Sequence, residues 1–245
     1  MLTTLLNPLF SLVYPQQCHV CRQEVDELSG GVACSACWAG TRLFCGSEAL
    51  CTKCGAVLSD DSPGTTSYCR QCEIQRFGKA RAVGIYEKAL SATILALKHR
   101  PELPRRLLSS ILDAFEREGF CGATSIIPVP LSRRRQFERG YNQAQVIAEF
   151  LAKRTSTKLN TQSLRRKKNT PMHRVGMDQR ARELTLVGAF EVTAPRLIEG
   201  AHVVLIDDVF TSGSTASACA AILKKNGAAE VDVFTLARAT LSNRS

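Results

Sequence analysis

The chain is 245 residues long and 44% hydrophobic, with 11 cysteines and a formal charge of +10. That length holds one large domain, or an ordinary domain with a small module, and the hydrophobic content suffices for a packed core. No apolar run approaches membrane-spanning length, which excludes membrane insertion. The opening Met1–Val13 is apolar, but Pro8 interrupts it and the first basic residue is Arg22, so no secretory leader is expected. A cytoplasmic location follows, in which thiols stay reduced and paired cysteines hold metal rather than form disulfides.

Nine of the 11 cysteines fall between Cys18 and Cys72, dividing the chain into a cysteine-rich module, residues 1–78, and a larger domain, residues 79–245. Four Cys-x-x-Cys pairs follow one another: Cys18/Cys21, Cys34/Cys37, Cys51/Cys54 and Cys69/Cys72. Each pair aims two thiolates at one tetrahedral centre, so four pairs complete two four-cysteine zinc sites. Pairing first with second and third with fourth makes two zinc ribbons, an interleaved order makes a cross-braced module, and the spacing allows both. Iron–sulfur or redox use of the thiols is the competing chemistry. So small a module has too little core to fold without metal, which makes the zinc structural. Cys45 has no partner, His19 is surplus to four cysteine ligands, and Trp38 and Phe44 read as core residues of the module.

From Lys79 the pattern turns α/β. Arg81–Tyr86 reads as a strand, followed by a helix through Ile94, Leu95, Leu97 and Lys98. Leu107–Glu118 is an amphipathic helix ending at Gly119, and Thr124–Pro130 a short buried strand running into a turn. A basic stretch from Arg133 leads into a helix over Asn142–Lys153, with Asn142 a candidate cap. Short strands are expected at Ser163–Lys167 and Ala189–Val192, with a helix at Asp178–Leu184 between them. Val203–Ile206 is a run of four apolar residues, as in strands buried on both faces. A helix over Thr215–Asn226, closed by Gly227, and a strand over Glu230–Arg238 complete the chain. Strands alternating with helices mean a mostly parallel, doubly wound sheet, with ligands at the carboxyl ends of the strands. That rule brings Pro128–Pro130 and Asp207–Thr215 to one rim.

The stretch that carries the chemistry is Val203–Thr215: strand, Asp207-Asp208, then Thr211, Ser212, Gly213, Ser214 and Thr215 leading into a helix N-terminus. Free amides and the helix dipole suit an anion there. The acidic pair cannot share a phosphate, and suits sugar hydroxyls or a magnesium ion held through water. A phosphate at one end and a ribose diol at the other describe a phosphoribosyl group. The bland alternative is an acidic pair ending a strand, beside an ordinary Ser/Thr cap. The stretch resembles the 5-phosphoribosyl pyrophosphate (PRPP) motif of type I phosphoribosyltransferases, with Ser212 in place of a threonine.

Further motifs widen the resemblance. The cysteine knuckles, Leu97-Lys98, Ile127–Pro130, Arg139–Gln143, Gly188–Phe190 and the acidic pair stand in the order of the ComF family. In that family a double zinc ribbon precedes a phosphoribosyltransferase-like domain, and some members act in bacterial DNA uptake or use. The family's Gln, Leu and Arg-x-x-Asn before Gly-Ala-Phe are here Arg174, Met177, Arg182 and Thr185, of which only the arginine matches.

The resemblance implies that Thr211, Ser212, Gly213, Ser214 and Thr215 hold the 5-phosphate and that Asp207 and Asp208 take the ribose hydroxyls. Val129, Pro130 and Leu131 would approach the pyrophosphate with magnesium, aided by Arg133, Arg139 and Lys98. It also implies a DNA-translocating helicase partner. An amidotransferase subtype is not expected, because Met1-Leu2 offers no cysteine nucleophile.

The charge is concentrated. Leu131–Arg182 carries 14 Lys and Arg against 3 Asp and Glu, a balance of +11 in a chain of +10. One-sided charge of this kind points to an anionic partner, and PRPP uses only a few of these groups. Single-stranded DNA is expected on this face, with Arg165, Arg166, Lys167 and Lys168 as its densest cluster and placed off the phosphate turn. Two functions stand open: a PRPP-binding protein of DNA metabolism, or a transferase passing phosphoribosyl to a nitrogen acceptor with pyrophosphate release.

Overall fold

A computed structural model describes residues 16–58, 69, 72, 74–167, 186 and 188–240. The expectations placed on Met1–Val13, Lys168, Arg174, Met177, Asp178–Leu184, Arg182 and Thr185 lie outside the described residues.

A short helix α1 (Ser35–Ala39) belongs to the cysteine module. Then come β1 (Ala80–Ile85), α2 (Lys88–Ala96), α3 (Arg105–Arg117) and β2 (Ser125–Pro128). They are followed by α4 (Arg133–Arg139), α5 (Gln143–Thr155), β3 (Lys158–Leu159), β4 (Leu164–Arg166) and β5 (Phe190–Val192). The last elements are β6 (His202–Phe210), α6 (Ser214–Lys225) and β7 (Glu230–Arg238).

Five strands form one sheet in the order β1-β7-β6-β2-β3, every neighbouring pair parallel. The strand expected at Ser163–Lys167 exists as β4, but it pairs antiparallel with β5 outside this sheet. The sheet's edge is instead β3, two residues long and too short to leave a period in the sequence. The chain leaves β2 through α5 to one side and leaves β6 through α6 to the other. Adjacent β2 and β6 are therefore the point where the winding reverses, and there the carboxyl ends open a crevice.

Side chains alternate across the sheet. Ile126, Val204, Ile206, Phe234 and Leu236 face the layer of α2, α3 and α5, where Phe115 packs edge-on against Phe234 with ring centroids 5.3 Å apart. Ile127, Val203, Leu205, Val231 and Val233 face α6. The cysteine module spans both layers: Cys18, Cys34 and Trp38 join the first core, while Cys51, Cys54, Cys72 and Phe77 join the second. Between the two, Phe44 N–H donates to Val83 O at 2.8 Å and Ile85 N–H to Arg42 O at 2.9 Å, so this segment covers the free edge of β1. The approach needs Gly84, where a Cβ would sit 2.4 Å from the Arg42 carbonyl oxygen. Among the described residues no helix is long and apolar enough to cross a membrane.

Candidate functional site

The eight paired cysteines gather into two quartets, Cys18/Cys21/Cys34/Cys37 and Cys51/Cys54/Cys69/Cys72, within each of which the sulfurs lie within 4.8 Å of one another. The pairing is therefore sequential, which the spacing had left open. Sulfur–sulfur distances are 3.8 Å for Cys18–Cys37, 3.7 Å for Cys21–Cys34, 3.5 Å for Cys51–Cys72 and 3.3 Å for Cys54–Cys69. A tetrahedral zinc with Zn–S near 2.3 Å separates its sulfurs by about 3.8 Å, so the donor sets fit that ion. Backbone amides favour one thiolate in each quartet: burial pushes Cys18 up, but the N–H groups of Cys21, Cys34 and Val20 outweigh it and bring the thiol down to about 6, while burial pushes Cys37 up to about 12. Cys51 is likewise brought to about 6, against burial, by the amides of Cys54, Cys69 and Lys53. Cys45 stands outside both quartets, and buried Trp38 donates from Nε1 to Gly30 O at 2.8 Å as a core residue.

The rim lies where β2 stops. Pro128 pairs with Ile206, and Val129 N–H donates to Ile206 O at 2.8 Å. β6 does not end at the acidic pair as its apolar run suggested. It continues to Phe210 because β7 accompanies it, with Asp207 opposite Thr235 and Phe210 opposite Arg238. Asp207 and Asp208 thus occupy the step at which β6 keeps one neighbour and has lost the other. Asp207 Oδ1 accepts from the Asp208 N–H at 2.9 Å. Burial, then the adjacent Asp208 carboxylate, pushes the Asp207 carboxyl well above the usual range.

Beyond Phe210 the chain turns through Thr211–Gly213 into α6. Gly213 has φ +76°, and a Cβ there would lie 2.7 Å from Phe210 Cζ, so glycine is required both by conformation and by space. Gly213 is also the residue that caps α6, and no side chain caps it. Ser212 Oγ and Ser214 Oγ bond each other at 2.9 Å, and the Ser214 N–H reaches Ser212 Oγ only at 3.5 Å. The ordinary Ser/Thr cap is thus not the arrangement found. The first-turn amides and the dipole of a twelve-residue helix face this turn.

The opposite wall is the turn after β2. Asn142 caps α5 by accepting from Ala144 N–H at 3.0 Å, and its Nδ2 donates to Val129 O at 2.9 Å, tying the turn to the helix. Tyr141 Oη donates to Leu97 O at 2.6 Å, which brings the Arg139–Gln143 motif against the end of α2, beside half-buried Lys98. Arg133 lines the crevice with Pro128 and Pro130, whereas Arg139 closes α4 one residue before Gly140.

Three contributors were not legible in the sequence. Tyr86, just after β1, is close enough to Asp208 that burial and that carboxylate together raise its phenol. Gln75, from the second ribbon, is buried and donates from Nε2 to Ser212 O at 3.2 Å. Arg238, at the end of β7, lies over the Phe210 ring at 4.8 Å and donates to Cys54 Sγ at 3.4 Å. Residues far apart in the chain make each of these contacts, so no local pattern carries them.

The basic cluster divides. Arg165 and Lys167 project to one side of β4 and bind Glu191 at 2.7 and 2.8 Å. Arg166 projects to the other, over the Phe190 ring at 5.3 Å. Burial and nearby Arg135 lower its pKa, and Cys219 and Asp207 oppose the shift, so Arg166 is within electrostatic reach of Asp207.

Residues 9–73 match the double zinc ribbon domain and residues 139–243 the phosphoribosyl transferase domain. The chain is 32% identical over 238 residues to the DNA utilization protein YhgH of Escherichia coli (strain K12), spanning 93% of this chain and 99% of that protein. It is 27% identical over 242 residues to Competence protein ComFC of Bacillus subtilis (strain 168), spanning 90% and 83%. Among solved structures it is similar to a purine phosphoribosyltransferase from Pyrococcus horikoshii, with 16% identity, a TM-score of 0.30 and coverage of 61% of this chain and 72% of that one.

Proposed function

The chain belongs to the ComF family, and from that membership we propose that it binds PRPP with magnesium at the rim and serves DNA utilisation by binding single-stranded DNA. One observation carries the PRPP reading: the acidic pair stands at the open step of β6, four residues before a glycine turn that presents uncapped amides. In this reading Thr211–Thr215 hold the 5-phosphate and Asp207 and Asp208 take the ribose hydroxyls. Val129 and Pro130, with Lys98, Arg133 and Arg139, receive the pyrophosphate. Magnesium, when bound, neutralises pyrophosphate charge. Arg166 joins the set, because it is within electrostatic reach of Asp207. Zinc fills both cysteine quartets and is structural. The DNA reading rests on the charge of Leu131–Arg182 and on its relatives being DNA utilization and competence proteins.

Calorimetry of magnesium–PRPP against the purified protein, beside a filter-binding salt titration with single-stranded DNA, tests both halves. Saturable PRPP binding and a steep loss of DNA affinity with salt are expected. No heat with PRPP overturns the first half, and salt-independent or absent DNA binding the second.

The match of residues 139–243 to the phosphoribosyl transferase domain favours transfer as a second reading. There the C1–oxygen bond to pyrophosphate breaks as a C1–nitrogen bond forms, pyrophosphate departs, and the acceptor's proton passes to a carboxylate. Pyrophosphate release across a panel of bases and amines tests it, and release with none of them leaves binding alone.

A further inference from the structure

Helix α4 contributes no buried residue to the fold. It is held by its own turns: Ser132 Oγ accepts from Arg135 N–H at 3.4 Å, Arg134 binds Glu138 at 2.7 Å, and Gly140 ends it at φ +76°. On this helix Phe137 is 91% exposed, far more than any other large hydrophobic residue described. A single exposed apolar residue is ordinary on a protein surface. The place of this one is not. Phe137 lines a basin of about 810 Å³ with Leu131, Arg133, Gln136, Gln162 and Arg165, and among the described residues no Asp or Glu lines it, the nearest carboxylate being Glu191 on the Arg165 guanidinium. Pro128, Pro130 and Asn142, which build the wall of the rim, border it too.

An aromatic face beside an exposed guanidinium and amide side chains is the combination that accommodates an unpaired nucleotide. The ring stacks on the base, which every base permits, and the guanidinium meets the adjacent phosphate. Beside Leu131, Leu164 and the two prolines the lining holds amides, hydroxyls and arginines, a mixture that suits a base and its phosphates better than a wholly apolar partner surface. We propose that this basin holds one nucleotide of a single strand, its base stacked on Phe137 and its adjacent phosphate at the exposed Arg165. The proposal rests on the DNA reading above and locates the strand against the phosphoribosyl rim.

Fluorescence anisotropy with labelled oligothymidylate and with an abasic strand of equal length tests it on the full chain. Phe137→Ala should weaken oligothymidylate binding about tenfold, since base–aromatic stacking is of that order. Phe137→Trp should restore it. Affinity for the abasic strand, the salt slope and PRPP calorimetry should match wild type in both variants. Being so exposed, Phe137 can be replaced without opening the core. Equal oligothymidylate affinity in wild type and Phe137→Ala overturns the proposal, as does an equal loss with the abasic strand. A Phe137→Ala variant that changes only the oligomeric state in light scattering assigns the ring to a second copy, which also overturns it. If wild type binds no strand, the DNA reading falls with it. If wild type binds and the variant binds equally, the stacking site alone falls.

Discussion

Asp207 and Asp208 set two carboxylates on consecutive residues at a step in the sheet, and the cost shows at Asp207. A carboxyl whose pKa is raised on folding holds its proton more tightly in the folded chain than in the unfolded one. It therefore favours folding at acid pH and weighs against the folded state as pH climbs through the raised value. Asp207→Asn keeps an oxygen for the Asp208 N–H and removes the charge. Its melting temperature should exceed that of wild type at pH 8, and the difference should vanish towards pH 4. A melting temperature below wild type at pH 8 would mean that Asp207 is stabilised by a partner, contrary to the burial argument. Gly213 has no substitute at all. Gly213→Ala puts a methyl where Phe210 and Gln75 lie within 3.2 Å, so the phosphate turn should lose its ligand before the fold is lost.

Among the elements, the second ribbon is part of the site's wall. Gln75 holds the Ser212 carbonyl, the Arg76 N–H donates to Ser217 Oγ at 3.0 Å, and Phe77 meets Phe210 edge-on at 5.7 Å. Gln75→Ala should keep its zinc while amide exchange over residues 211–217 quickens and PRPP affinity falls about five- to tenfold, the worth of one lost hydrogen bond near 1 kcal/mol. Unchanged exchange in that segment would reduce the ribbon to a neighbour. None of this was legible in the sequence, because the partners stand about 140 residues apart in number. The strands β1, β2 and β7, the helices α3, α5 and α6 and the rim itself were legible, since apolar runs, glycine stops and the Asn142 cap are local signals. Two residues of β3 and the seven of α4 left no period to read. The end of β6 was misplaced because Asp207 and Asp208 look like a stop, whereas pairing with β7 carries the strand onward. The basic run was read as one cluster, yet alternation along β4 sends Arg166 to the other side from Arg165 and Lys167.

For the whole molecule, the two quartets tie the cysteine module into both layers of the sheet, so metal and fold are one system. Elemental analysis should give close to two zinc ions per chain, and stripping them should lower the melting temperature in a single transition rather than leave an intact α/β core. One zinc per chain would contradict the double ribbon, and a second transition at the original temperature would contradict the shared cores. The excess of +11 over Leu131–Arg182 accounts for the chain's basic character, and Arg133, Arg165 and Arg166 of that stretch line the Phe137 basin. At the centre of the account stands PRPP bound at the step of β6, and titration calorimetry of magnesium–PRPP against wild type and Asp207→Asn/Asp208→Asn tests it most directly. Asparagine keeps an oxygen at each position but loses the charge that strengthens its hydrogen bond to a ribose hydroxyl, worth about 1 kcal/mol at each, so affinity should fall at least tenfold while the zinc content stays at the wild-type value. Equal affinity in the two proteins would contradict the site.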